Sequence, residues 1–192
     1  MKKLLLALTV VSAAIAVPAS AGTLEGEVRF GGVANKQTNS TEYRVQYNDA
    51  LYNGLVQYGL ELQTVQPENE GPVGTLLSGK LGTALPGVFG LSSAAFAEVG
   101  QSLNKKVSPT VGGNFEFWGA GVNAAYPLGD ALTLKAGYRH RESFNGNRMK
   151  EDRLHSGVEW NITEKTAIGA TYYRTTGSLR TDEVGVGITH SF

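Results

Sequence analysis

Residues 181–192 alternate strictly between two kinds of side chain. Val184, Val186, Ile188, His190 and Phe192 fall on one side of a period of two; Thr181, Glu183, Gly185, Gly187, Thr189 and Ser191 fall on the other. Successive side chains of an extended strand point to opposite faces, so this segment is predicted to form a strand with one apolar and one polar face. The pattern recurs. Thr23–Gly31 sets Leu24, Val28 and Phe30 against Glu25, Glu27 and Arg29. Thr41–Asn48 sets Tyr43, Val45 and Tyr47 against Glu42, Arg44 and Gln46, and Gly54–Val65 continues in the same way. Phe115–Tyr126, Ala131–Glu142, Asp152–Trp160 and Thr166–Thr175 repeat it in the second half. Between them lie turn signals at Asp49–Asn53, Pro127–Asp130 and Asn161–Lys165.

The middle of the chain alternates poorly. Val73–Leu85 and Val88–Gln101 are rich in Gly, Ala and Ser and flank Pro86-Gly87, which reads as a tight turn. Ser93–Glu98 is compatible with a helical turn, yet both segments are read as strands. The total is about ten antiparallel strands, each near the length a tilted membrane strand needs. Alternation alone also fits a soluble β-sandwich.

Residues 1–21 are predicted to be a signal peptide rather than part of the fold. Met1, Lys2 and Lys3 form a basic start, Leu4–Val17 is apolar, and Ala19-Ser20-Ala21 fits the small-residue cleavage pattern. Residues 22–192 then form a single domain. No cysteine is present, which excludes disulfides and thiolate metal sites. Basic and acidic residues balance at 17 each, which argues against a nucleic-acid partner.

The terminal strand resembles the C-terminal signal of bacterial outer-membrane β-barrels, with His190 where an aromatic or aliphatic residue is commoner. That resemblance implies an all-β, antiparallel transmembrane β-barrel in the outer membrane of a Gram-negative envelope. It also implies that Phe192 is read by the barrel-assembly machinery, and that membrane lipid surrounds the barrel. Short connections near Asp49, Pro86, Pro127 and Ile162 alternate with longer polar ones near Asn39, Asn104 and Asn147. Short turns face the periplasm in such barrels, which places both termini there. Tyr126, Trp160 and Phe192 supply an aromatic girdle at that end.

If the apolar face meets lipid, the polar face lines the interior. Glu25, Glu27, Glu42 and Glu61 lie on the first three strands, with Glu183 beside them once the last strand closes on the first. Lys135, Arg139, Arg141, Arg153 and His155 lie on the seventh and eighth. In a ring of ten, an acidic wall then faces a basic wall. Two outcomes are open. The walls can bound a narrow, charge-lined channel for small polar or anionic solutes, as in a porin. Alternatively, the side chains can reach across and pair, giving a plugged structural, binding or adhesion barrel without transport, for which ten strands are few enough. Interior glycines, among them Gly119, Gly121, Gly137, Gly157 and Gly185, are expected to leave room.

Residues 115–192, especially Tyr138-Arg139-His140-Arg141 and the following loop with Arg153, resemble the small monomeric porins of the oligogalacturonate type. The resemblance implies an arginine-lined path for acidic solutes through Arg139, Arg141 and Arg153. Those porins have twelve strands and longer chains, which puts pore width and substrate in question. No catalytic constellation is evident, and the chain is read as a non-enzyme without cofactor or metal. His155 and Ser156 point to opposite faces of one strand, and His140, His155 and His190 are scattered.

Overall fold

A computed structural model describes residues 22–33, 39–67, 74–104, 114–145, 148–178 and 180–192. The expected signal peptide lies outside them. Ten strands follow one another: β1 (Thr23–Val33), β2 (Asn39–Leu51), β3 (Val56–Pro67), β4 (Gly74–Val88), β5 (Leu91–Asn104), β6 (Phe115–Pro127), β7 (Leu132–Ser143), β8 (Lys150–Asn161), β9 (Thr166–Gly177) and β10 (Thr181–Ser191). Each pairs antiparallel with its sequence neighbours, and β10 pairs with β1, so the sheet closes into a barrel with no free edge.

Residues directly opposite one another, starting from Thr23, run through Asn48, Gly59, Lys80, Glu98, Gly119, Arg141 and Glu151 to Gly177. The walk climbs steadily from the short-turn end towards the long-loop end. This is the stagger that tilts barrel strands and fixes the ring's size.

The barrel is inside out. Leu60 on β3 and Val186 on β10 are 60% and 51% exposed, whereas Glu61 and Arg141 are each 1% exposed. Outward positions form an apolar band suited to lipid, and inward ones form a polar interior. Two belts of aromatic residues flank the band, where the sequence suggested one. Tyr47, Tyr58, Tyr126, Trp160 and Phe192 lie near the short turns. Phe30, Tyr43, Trp118, Tyr138 and Tyr172 lie towards the loops, and the last two donate hydroxyl hydrogen bonds to Asp152 and Asp182.

Ser93–Glu98 is extended within β5, in line with the strand reading and not with a helical turn. Two local expectations need correction. Asp49 is not in a turn, because β2 continues to Leu51 and the chain reverses over Tyr52, Asn53 and Gly54, all at positive φ. Pro86-Gly87 is not the β4–β5 turn either. Proline has no N–H for the ladder, so this pair is thrown out as a register shift between Leu85 and Val88. The reversal falls at Phe89 and Gly90, with φ of 52° and 81°, the left-handed pair that a two-residue hairpin requires.

Candidate functional site

The interior half nearer the long loops is filled by a lattice of ion pairs. Glu61 of β3 stands at its centre. Its Oε1 accepts from Arg141 Nη2 at 2.7 Å and Arg139 Nη1 at 3.1 Å, and its Oε2 accepts from Lys80 Nζ at 2.7 Å. Arg44 Nη1 stands 3.6 Å from the same Oε2. Arg141 also grips Glu98 of β5 with Nε at 2.6 Å and Nη2 at 3.0 Å, a bidentate contact of the kind guanidinium geometry favours. These pairs cross from β7 to β3 and β5, strands that are not neighbours in the sheet. Phe117, fully buried, lies 5.1 Å from the Arg141 guanidinium and fills the space beside it.

A second group forms around β1. Arg29 donates to Glu27 at 2.7 Å and pairs with Glu42; Arg44 donates to Glu27 at 3.0 Å and pairs with Glu25. Tyr173 donates its hydroxyl to Glu27 at 2.6 Å, and its ring lies 3.8 Å under the Arg29 guanidinium. Arg153 joins the groups. Its Nε is 3.1 Å from Glu151, its Nη1 3.7 Å from Glu42 and its Nη2 4.0 Å from Glu183. Lys135 stands apart, nearer the short turns, where it pairs with Glu159. His155 forms no ion pair among the described residues; its ring lies 5.7 Å from that of Tyr173.

All the charged residues singled out in the sequence therefore point inward, yet they do not segregate into two walls. Arg29, Arg44 and Lys80 stand among the acids, and Glu151 and Glu159 among the bases. Glu25 is neutralised by Arg44 of the neighbouring strand and Glu27 by Arg29 and Arg44, while Glu61 is neutralised both by Lys80 of the neighbouring strand and by Arg139 and Arg141 from across the barrel. Arg29 and Arg44 were legible as polar-face residues. Lys80 and Glu98 sit on β4 and β5, where weak alternation hid the face.

Nor do the glycines leave open space. A Cβ at Gly119 would lie 2.6 Å from Glu98 Oε1, and one at Gly121 2.6 Å from the Phe96 ring. The missing side chains are the places where neighbours lie flat across the wall.

Six buried polar atoms lack a hydrogen-bond partner among the described residues: Ser102 Oγ, Arg139 Nε and Nη2, Arg153 Nη1, Glu151 Oε1 and Glu183 Oε2. Arg139 Nη2 and Glu151 Oε1 are 3.8 Å apart, and Arg139 Nε is 3.9 Å from Glu98. This side of the lattice is charge-matched but loosely bonded, in contrast to the tight Arg141–Glu61–Glu98 knot.

Below the lattice, towards the short turns, the interior opens into a cavity of about 950 Å³. Gln46, Asn48, Gln57, Asn123, Lys135 and His155 contribute polar walls and Phe96 an aromatic one. The floor is made by Arg29, Arg44, Arg139 and Arg153, and the lining reaches Ala50, Gly90 and Leu91 at the turn rim. The space is thus a cup with a charged, ion-paired base.

One contact on the outer surface bears on catalysis. His140 Nδ1 lies 2.9 Å from Asp152 Oδ1, and its Nε2 lies 3.5 Å from Glu142. The pair arises from the β7–β8 register, which sets His140 opposite Asp152. Among the described residues the only hydroxyl bonded to it is that of Tyr138, which donates to Asp152. Among the described residues a base and an orienting carboxylate are present without an adjacent Ser, Thr or Cys bonded to them. No group of three or more candidate metal ligands occurs among the described residues.

No protein-family model matches the chain, and no curated protein sequence matches it. Solved structures do share its fold. The NanC porin, 8% identical, superposes with a TM-score of 0.58 over 88% of this chain and 100% of that one. The β-domain of the Bordetella autotransporter BrkA, 10% identical, gives 0.57 over 90% and 100%. The translocator domain of the autotransporter NalP from Neisseria meningitidis, 11% identical, gives 0.50 over 96% and 93%. At these identities the likeness concerns architecture, and a porin and autotransporter domains share it equally. The chain has the fold of the outer-membrane β-barrels, and its resemblance to the small porins holds at that level.

Proposed function

We propose that this chain is an outer-membrane barrel with a lumen closed at rest, a charged plug on the loop side and a polar cup on the short-turn side. The observation that carries this reading is the knot at Glu61, where side chains from β3, β4 and β7 meet with almost no exposed surface. Both termini and the mouth of the cup face the periplasm, Phe192 addresses the barrel-assembly machinery, and lipid covers the apolar band. No catalytic step is assigned to it.

A second reading, the narrow channel for small polar or anionic solutes, draws support from the loose side of the lattice. Arg139 Nε and Nη2 and Arg153 Nη1 are donors without acceptors, at 3.9, 3.8 and 3.7 Å from the carboxylates of Glu98, Glu151 and Glu42. Opening a path there would break no hydrogen bond at these three donors but would still have to part the 3.1 Å pairs of Arg139 with Glu61 and Arg153 with Glu151. Lys135, Arg139, Arg141, Arg153 and His155, with Glu25, Glu27, Glu42, Glu61 and Glu183, would then line the path.

Planar-bilayer recording decides between the two. The closed reading expects no steady conductance from the refolded protein, and reduced stability without conductance from the Arg139→Ser/Arg141→Ser double variant. A steady conductance in the unaltered protein, with anion preference that falls in the double variant, supports the channel and overturns the closed lumen.

Assembly supplies a further expected result. Phe192 ends the strand that closes the barrel, and its backbone N–H donates to the Gly22 carbonyl at 3.1 Å. Deleting it should reduce the heat-modifiable, membrane-inserted fraction in cells. Recovery of the chain as a soluble folded monomer in the periplasm would overturn the outer-membrane reading.

A further inference from the structure

The far end of the β4–β5 hairpin differs from every other short turn. From Leu81 to Ala97 no residue carries a charge. The other reversals each have one close by: Asp49 before Tyr52–Leu55, Asp130 in the β6–β7 turn, and Glu164 and Lys165 in the β8–β9 turn. Pairing of β3 with β4 ends at Val56 opposite Thr83, yet β4 continues to Val88. The tip thus projects past its β3 neighbour, carrying Leu85, Val88, Phe89 and Leu91, all exposed, with Leu85 and Leu91 also bordering the mouth of the cup.

Phe89 is the sharpest feature of the tip. It is 95% exposed and sits at a φ of 52°. That backbone region suits Gly, Asn or Asp, and a bulky aromatic residue there is an outlier. An apolar ring held fully outward in a strained turn contributes nothing to the barrel's own interior. Observed strain of this kind points to a role elsewhere.

The surface around it indicates what it meets. Leu85, Leu81 and Leu77 lie on the outward face of β4, four residues apart with Thr83 and Gly79 between them, and Leu60 of β3 lies beside Gly79. The tip is therefore continuous with the apolar band, below the belt marked by Tyr58 and Tyr126. Aromatic side chains favour the boundary between hydrocarbon and headgroups, and the short-turn rim is where that boundary falls.

We propose that the β4–β5 tip, led by Phe89, is a lipid-interface anchor that enters the leaflet on the short-turn side and holds that flank of the barrel deeper than the rest. The inference rests on the outer-membrane reading and adds a site and a partner, the phospholipid interface, which that reading does not specify.

Single-tryptophan proteins in phosphatidylcholine vesicles test it. Trp118 and Trp160 are replaced by Phe, and Phe89→Trp places one reporter at the tip; a second protein keeps Trp160 alone. Lipids brominated along their chains then serve as quenchers. The anchor predicts blue-shifted emission from the tip and a loss of fluorescence comparable with that of the Trp160-only protein. Red-shifted emission, untouched by brominated lipid and quenched by acrylamide in the water phase, would overturn the anchor while a quenched Trp160 upholds the barrel. An unquenched Trp160 would overturn the membrane reading and the anchor together. Phe89→Asn supplies a check that does not depend on tryptophan. It suits the left-handed turn and so folds, and the anchor predicts that it makes the neighbouring β4–β5 backbone amides exchange faster in vesicles. Unchanged exchange would count against the anchor.

Discussion

Replacing Glu61 with glutamine lowers the stability of the barrel by about 3–5 kcal/mol, the range for removing one partner of a buried ion pair. The size follows from what the carboxylate holds together. Lys80, Arg139 and Arg141 lie within 3.1 Å of it and Arg44 within 3.6 Å. A neutral amide leaves Lys80 without its closest acid, Arg139 with only the longer contacts to Glu98 and Glu151, and Arg141 with Glu98 alone, so the repulsion among these cations is less fully offset. Equilibrium unfolding by urea in lipid vesicles, followed by tryptophan emission and by mobility on unheated gels, measures the effect. Glu142→Gln, a change to an outward carboxylate near the loop end, is the comparison and is expected to cost well under ~1 kcal/mol. Similar losses for the two variants would mean that the lattice is not a structural core.

The second large effect concerns the two faces of β7 and β8. Val158 points outward from β8, and Val158→Arg puts a charge into the apolar band. The cost is about 2–4 kcal/mol near the middle of the membrane and less towards its edge. Thr133 faces inward on β7, directly opposite Glu159, so Thr133→Arg gains a carboxylate partner and should be the milder change. Gly157 also faces inward but does not serve as a mild control. A Cβ there would lie 2.6 Å from the Ala170 carbonyl oxygen, and backbone cannot yield as a side chain can. Equal costs at positions 158 and 133 in the same titration would mean that the faces are wrongly assigned.

The middle of the chain was less legible than the strands on either side of it. β7 could be read directly, because Leu132, Leu134, Ala136 and Tyr138 alternate with Thr133, Lys135, Gly137 and Arg139, and its structure follows that reading. β4 and β5 were obscure for a physical reason. Their outward positions include Gly79, Ala95 and Ala97, too small to mark an apolar face, and Pro86-Gly87 imitates a turn. The hydrogen-bond ladder placed the reversal three residues later, since a ladder can expel a proline as a bulge more easily than it can end early.

The interior shows a different limit. Alternation tells that Arg29 and Arg44 point inward, but not which carboxylate each will meet. Partners on one strand or on neighbours, such as Arg29 with Glu27 or Arg44 with Glu25, follow from register. Partners across the barrel, such as Arg141 with Glu61, depend on ring size and stagger, which no local pattern contains. The outward pair of His140 and Asp152 was missed likewise, because the β7–β8 register is set by where the loop between them begins.

The length of chain between partners in the lattice has a consequence for the order of events in assembly. Arg141 and Glu61 are 80 positions apart, and Tyr173 and Glu27 are 146 apart. As strands are added one after another, Glu61 gains Lys80 with β4 but keeps part of its water until β7 arrives, and Glu27 keeps part of its water until β9 brings Tyr173. An unfinished sheet therefore carries bare charge on its concave side and cannot dehydrate. Each of these carboxylates completes its pairing only when its distant strand arrives, so the interior dries late, in steps set by β7 and β9 rather than hairpin by hairpin.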